Sequence, residues 1–217
     1  MSFPTTQQVR FVVKPLWFCI CISPFVWMCL AAFNIAGNSL GADPIEATQD
    51  FMGIWALRML LATLAITPLR KLTGKAWLIR LRRMTGLFAL FYASLHFLNY
   101  LVPDQGLDWA EIIEDIIDRP FITLGALALL GLIALGITST AGWQRRLGRR
   151  WQQLHRLVYL LAILACWHFW WQVKEDIREP LIYSAILAAL LGVRLLNRKK
   201  RSAKKNPAPD YSGAGNP

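Results

Sequence analysis

Charge is scarce in this chain: 17% of its 217 residues are Asp, Glu, Lys or Arg, against about 25% in an ordinary soluble domain. The four cysteines form no C-x-x-C pair, so an iron–sulfur cluster or a thioredoxin-like centre lacks its ligands. Cys19, Cys21, Cys29 and Cys166 all lie in apolar runs and read as small buried hydrophobic residues. No G-x-G-x-x-G follows a strand pattern, and there is no P-loop, H-E-x-x-H or G-x-S-x-G. Dinucleotide, nucleotide, zinc-protease and serine-hydrolase chemistries therefore have no signature here. No repeat of fixed period is evident. Histidine is rare as well, with three in the whole chain.

What the chain has is apolar length. Hydrophobic residues make up 55% of it, gathered into runs of about 20, each long enough to cross a hydrocarbon core of about 30 Å as a helix. Six stand out, at 16–36, 51–69, 84–102, 120–140, 152–171 and 181–197. The first is too long for the core of a secretory signal and lacks a small-residue cleavage site, so it reads as a retained helix. The fold class expected is all-α: a polytopic membrane protein with a six-transmembrane-helix bundle. Its parts are a short N-terminus (1–15), the bundle (16–197) and a basic, then Pro/Gly/Ser-rich tail (198–217), expected to be disordered.

The net charge of +11 raises the question of nucleic acid, and its distribution answers against it. With the N-terminus in the cytoplasm, 20 of the 24 basic residues fall in cytoplasmic segments and 12 of the 13 acids in the opposite loops. That is the positive-inside pattern with both termini cytoplasmic, and it fits a multi-pass protein of a bacterial inner membrane. Lipid is the partner of this charge; no nucleic-acid partner is expected. The basic loop 70–83 suits a segment at the membrane interface. The acidic stretch 103–118 has Ile pairs at 112–113 and 116–117, which predicts a short amphipathic helix on the outer surface.

All three histidines lie within spans. His96, in the third, is about six residues from the outer end of its helix, and His168, in the fifth, about three. At about 1.5 Å per residue the two lie within about 5 Å in depth. Two facing imidazoles at one depth grip a haem iron axially, as in membrane b-type cytochromes. His155 lies 13 residues before His168, about 20 Å deeper, and about 140° round an ideal helix. Either the helix is distorted there or the two histidines address different neighbours. Where an inner partner for His155 would stand, the third helix has Arg82 and Arg83. His155 is thus a candidate inner ligand without a histidine partner. Each histidine also has a plainer reading, a helix-to-helix hydrogen bond.

Arg58, inside the second span, is a candidate to neutralise a haem propionate, or else snorkels outward. Trp167, Phe169, Trp170 and Trp171 around His168 read as an interfacial aromatic belt.

Four stretches, "LGADPIEATQDFMGIWALRMLLATLAITPLR", "LIRLRRMTGLFALFYASLHFLNY", "RPFITLG" and "LGRRWQQLHRLVYLLAILACWHFW", together resemble the MsrQ (YedZ) family from about residue 38 to 196. The resemblance implies a haem-binding membrane subunit of the bacterial MsrPQ methionine-sulfoxide reductase system, within the ferric-reductase-like transmembrane superfamily. It implies haem b between the third and fifth helices, with His96, His155 and His168 matching the family's histidines. It also implies FMN, and electrons drawn from the quinone pool or a cytosolic flavin reductase and passed to MsrP, a periplasmic molybdopterin enzyme. The catalytic site is then expected on that partner and not on this chain. Arg82 and Arg83, with Arg80, Arg149 and Arg150, would suit an FMN phosphate or a propionate, though topology also asks for them. The short tail favours a relay over a self-sufficient reductase with its own nucleotide domain. The rival readings are a stand-alone transmembrane ferric or quinone reductase, and a non-redox helical transporter whose histidines only bridge helices.

Overall fold

The computed structural model describes residues 4–35, 40–173 and 176–205. Among these every element is helical, and six helices are long and apolar enough to cross a membrane. They cover Thr6–Ala32, Pro44–Thr73, Ala76–Asp104, Pro120–Ile137, Arg149–Gln172 and Arg178–Asn197, one for each expected run. We label the helices in chain order. α1 is Thr6–Ala32, α2 Pro44–Thr73 and α3 Arg82–Asn99. α4 is Trp109–Asp118, α5 Pro120–Ile137, α6 Ala141–Leu147 and α7 Arg149–Leu154. α8 is Leu157–Gln172 and α9 Arg178–Lys205.

α2 is longer than its apolar run because polar signals set its ends. Asp43 caps the start by accepting from the N–H groups of Ile45 and Glu46, and Pro44 takes the first helical position. Gly74, at φ 69°, closes the far end in the left-handed conformation. α4 matches the amphipathic expectation. Asp108 caps it, Ile112 faces inward, and Trp109, Ile113 and Ile117 remain exposed. α9 runs on to Lys205, beyond the boundary expected at 197. The remainder of the tail, 206–217, lies outside the described residues.

Two tight pairs form the body of the bundle: α2 against α3, and α5 against α8. The helix directions put Pro44, Asn99, Pro120 and Gln172 at one end, here the histidine end, and Arg70, Arg82 and Arg156 at the other, the arginine end. Leu60, Leu64, Ala89, Tyr92, Leu161 and Ala162 lie in the shared core.

Pro24 and Pro68 lie inside spans, and at each a side chain from another helix takes part in the repair. Pro24 in α1 has no N–H for the carbonyl of Ile20, and Ser23 Oγ donates to that oxygen at 2.9 Å. One residue on, the Tyr92 hydroxyl of α3 inserts into α1. It donates to Cys21 O at 2.8 Å and accepts from Phe25 N at 3.2 Å. Pro68 in α2 likewise leaves Leu64 O free, and Arg194 Nη2 of α9 donates to it at 3.0 Å. The Arg194 guanidinium lies 4.6 Å over the Tyr159 ring of α8, so one side chain ties three spans.

Tyr92→Phe removes one hydroxyl and leaves a buried carbonyl and a buried N–H without their partner. We expect a loss of about 1–3 kcal/mol of stability, read as a lower melting temperature of the detergent-solubilised protein, with Ser23→Ala costing less.

Candidate functional site

At the histidine end, α3 and α8 bring His96 and His168 together. Their ring centroids are 6.1 Å apart and the ring planes meet at 80°. Each ring is fixed from behind by a backbone carbonyl. His96 Nδ1 lies 2.9 Å from Gln49 O of α2, and His168 Nδ1 lies 2.7 Å from Phe121 O of α5. A carbonyl only accepts, so Nδ1 carries the proton in both rings and Nε2 keeps its lone pair. Among the described residues neither Nε2 has a hydrogen-bond partner. Asn99 extends the support on one side, donating to Ile45 O at 3.1 Å and to Gln49 Oε1 at 2.9 Å.

Four residues beyond each carbonyl stands a glycine, Gly53 and Gly125, against which the ring packs. The intervals are the same in both halves. The step from carbonyl to glycine is four residues, and the step from carbonyl to histidine is 47 residues. The second set follows the first by 72 positions (49 to 121, 53 to 125, 96 to 168). This corrects the reading that the chain has no fixed-period repeat. The α2–α3 and α5–α8 pairs present the same socket twice. Few identities survive around it, which is why the pattern does not stand out; the paired Gly-to-His spacing of 43 residues was the signal available.

Chemically, the pair offers two unprotonated Nε2 lone pairs. A metal–imidazole bond of about 2 Å, with the ring centre about 1.1 Å further on, sets opposed axial imidazoles about 6.3 Å apart, close to the spacing seen. No group of three or more His, Cys, Asp or Glu able to hold a metal occurs among the described residues. A metal held here must therefore bring the rest of its ligands with it, as a porphyrin does. The residues present fit a bis-imidazole haem.

His155 stands apart from this pair. It falls at a break, α7 ending at Leu154 and α8 beginning at Leu157. The ideal-helix angle of about 140° therefore does not apply across it. Its Nε2 is 3.1 Å from Thr138 Oγ1. Its ring stacks on Trp151 at 4.1 Å and 28°, and Trp151 Nε1 in turn donates to Thr138 O at 2.8 Å. By the 72-residue register, the counterpart of His155 is Arg83, a side chain with no lone pair for iron.

His155 and Trp151 instead line a cavity of about 340 Å³ at the arginine end, together with Arg82, Arg83, Thr63 and Gln144. Its apolar walls come from both helix pairs, through Leu60 and Leu87 on one side and Leu132 and Val158 on the other. Neither arginine has a carboxylate within ion-pair distance among the described residues, where the sole ion pair is Arg119 with Asp115. Arg80 is turned elsewhere, its Nη2 lying 3.4 Å from Thr6 Oγ1.

Arg58 is held by α9. Its Nε donates to Tyr183 Oη at 2.7 Å, and the guanidinium lies over Trp55 at 4.9 Å and Tyr183 at 5.9 Å. Of the belt residues, Trp167 and Trp171 are exposed and pack on each other. Trp170 turns inward and donates to Ser184 Oγ at 2.7 Å.

Residues 52–166 match the family described as ferric reductase like transmembrane component. Several named proteins are similar over nearly the whole chain. A Xanthomonas campestris pv. campestris protein is 51% identical over 185 residues, 84% of this chain and 85% of its own. One from Xanthomonas oryzae pv. oryzae is 49% identical over 206 residues, 94% of each chain. One from Bordetella pertussis is 48% identical over 195 residues, 88% of this chain and 93% of its own. All three bear the name protein-methionine-sulfoxide reductase heme-binding subunit MsrQ.

Proposed function

Since the chain belongs to the ferric-reductase-like transmembrane family, and within it to the MsrQ heme-binding subunits, we propose that it binds haem b between His96 and His168. In this reading it serves as the membrane electron-transfer subunit of a methionine-sulfoxide reductase. The observation that carries this is the opposed imidazole pair, spaced for two axial ligands and locked behind each ring by a carbonyl. Bound haem supplies a one-electron carrier held away from water. The chain's own residues supply the rest. The two carbonyls fix the tautomer, make the imidazoles better donors and stop them turning. α2, α3, α5 and α8 give the rings an apolar surround that helps set the potential.

The arginine end faces the cytoplasm of a bacterial cell in this reading, because lysine and arginine gather there. The histidine end then faces the periplasm, where a molybdopterin partner, MsrP, takes electrons for the repair of oxidised methionines. The donor is the quinone pool or a cytosolic flavin reductase. The cavity at the arginine end is where its electrons come in: Arg82 and Arg83 suit an anionic or carbonyl-bearing ring, FMN included, and Trp151 offers a flat wall. Arg58 holds Tyr183 through Nε alone, which leaves its Nη groups to meet a propionate. α4, with Glu111, Glu114 and Asp118 beside exposed Trp109, Ile113 and Ile117, is the surface offered to the periplasmic partner.

Purified protein is expected to give a dithionite-reduced minus oxidised difference spectrum of b-type haem. His96→Ala and His168→Ala should lose it, and His155→Ala should keep it. A colourless, well-folded parent ends the redox reading. Replacing Arg82 and Arg83 together by Gln should slow haem reduction by a quinol or reduced flavin at least tenfold while leaving the spectrum unchanged. Reversing the charges of α4 should slow haem reoxidation by the molybdopterin partner, seen in stopped-flow absorbance; an unchanged rate removes α4 as the docking surface.

A further inference from the structure

The two sockets behind the histidines are shaped more tightly than ligand binding by itself requires. A Cβ built on Gly53 would stand 3.0 Å from His96 Cε1 and 3.1 Å from Nδ1. One built on Gly125 would stand 3.0 Å from His168 Cε1, 3.1 Å from Nδ1 and 3.4 Å from Nε2. Such contacts are too close by a few tenths of an ångström, and something has to move. A flexible side chain would swing aside; these rings have nowhere to swing. Nδ1 is tied to a carbonyl one helical turn before the glycine, and Nε2 is tied to the iron whenever haem is bound. Gly131 and Gly136 would meet closer atoms still, but these are the side-chain ends of Leu161 and Leu90, free to swing aside. Beside Gly192 an added Cβ would meet nothing within 4 Å, and beside Gly86 it would make ordinary contact with Thr63 at 3.6 Å.

We infer that Gly53 and Gly125 are positioning residues for the two axial ligands, each paired with the carbonyl one turn earlier, and that together they hold the imidazole planes near perpendicular. The inference rests on the haem reading of the His96–His168 pair. The carbonyl sets the rotation of each ring through a directional hydrogen bond, and the missing Cβ lets the Nδ1–Cε1 edge come close to the helix at that rotation. The same socket occurs on two helix pairs, and the ring planes they hold differ by 80°. The consequence is electronic. Imidazoles in perpendicular planes donate to different iron d orbitals and leave them nearly equal in energy. Imidazoles in parallel planes donate to the same orbital and split the two. Near-degeneracy gives the oxidised haem a strongly anisotropic electron paramagnetic resonance, with its low-field feature displaced further than parallel ligands allow. It also contributes to the reduction potential.

The test uses the purified, haem-loaded chain and its Gly53→Ala, Gly125→Ala and Gly192→Ala variants. Each of the first two should move the low-field resonance toward the less anisotropic pattern and shift the midpoint potential, with Gly192→Ala matching the parent. A resonance and potential unchanged in both variants, in a protein that binds haem, overturn the inference while leaving the haem reading intact. A parent without haem fails the haem reading itself. If Gly53→Ala takes up no haem, melting of the haem-free proteins decides. A drop in melting temperature in the presence of His96 but not in the His96→Ala background supports a clash with the ring; an equal drop in both backgrounds overturns it.

Discussion

A hydrocarbon slab holds no water to relieve a bare carbonyl or N–H, so every polar group inside it must find its partner within the protein. Much of this bundle follows from that one constraint. At Pro24 and Pro68 the helices lose their own donors, and Ser23, Tyr92 and Arg194 replace them. At His96 and His168 the same logic acts on the side chain, since a buried ring N–H needs an acceptor and takes it from a helix carbonyl. A requirement of burial thereby selects the tautomer that leaves Nε2 available. What reads as preparation for a metal is also the cheapest way to keep an imidazole in lipid.

The two ends of the bundle show opposite solutions to housing polar atoms. At the histidine end each ring has one fixed contact behind it and an open nitrogen in front. At the arginine end His155 engages Thr138 and stacks on Trp151, while Arg82 and Arg83 line a cavity with no carboxylate among the described residues to answer them. The first is arranged for a ligand gripped on two sides. In the proposed function the second receives something that brings negative charge or carbonyl oxygens and can leave again. The electron relay proposed above would use both kinds of site.

Most of the architecture was legible in the sequence, because hydropathy over about 20 residues reports directly on burial in lipid. The depth match of His96 with His168 followed from helical rise, and the structure brings those two rings together. Detail that departs from ideal geometry was harder to read. For His155 the sequence left a distorted helix or different neighbours open, and the structure has a break at His155–Arg156. Arg58 read as a charge for a propionate or one that snorkels outward, and its bond to Tyr183 of α9 was not legible in one dimension. The duplicated socket escaped notice because its working parts are two backbone carbonyls and two absent side chains, and neither leaves a mark in composition.

Arg194 also bears on how such a protein is made. The carbonyl it satisfies belongs to the second span, but Arg194 itself lies in the sixth, 130 residues later. Until α9 is made, α2 sits in the bilayer with a carbonyl that lacks its finished partner. Water, lipid headgroups or the insertion machinery must stand in until α9 arrives. A helix made well over a hundred residues later thus completes α2, and this part of the bundle is sealed only once α9 is in place.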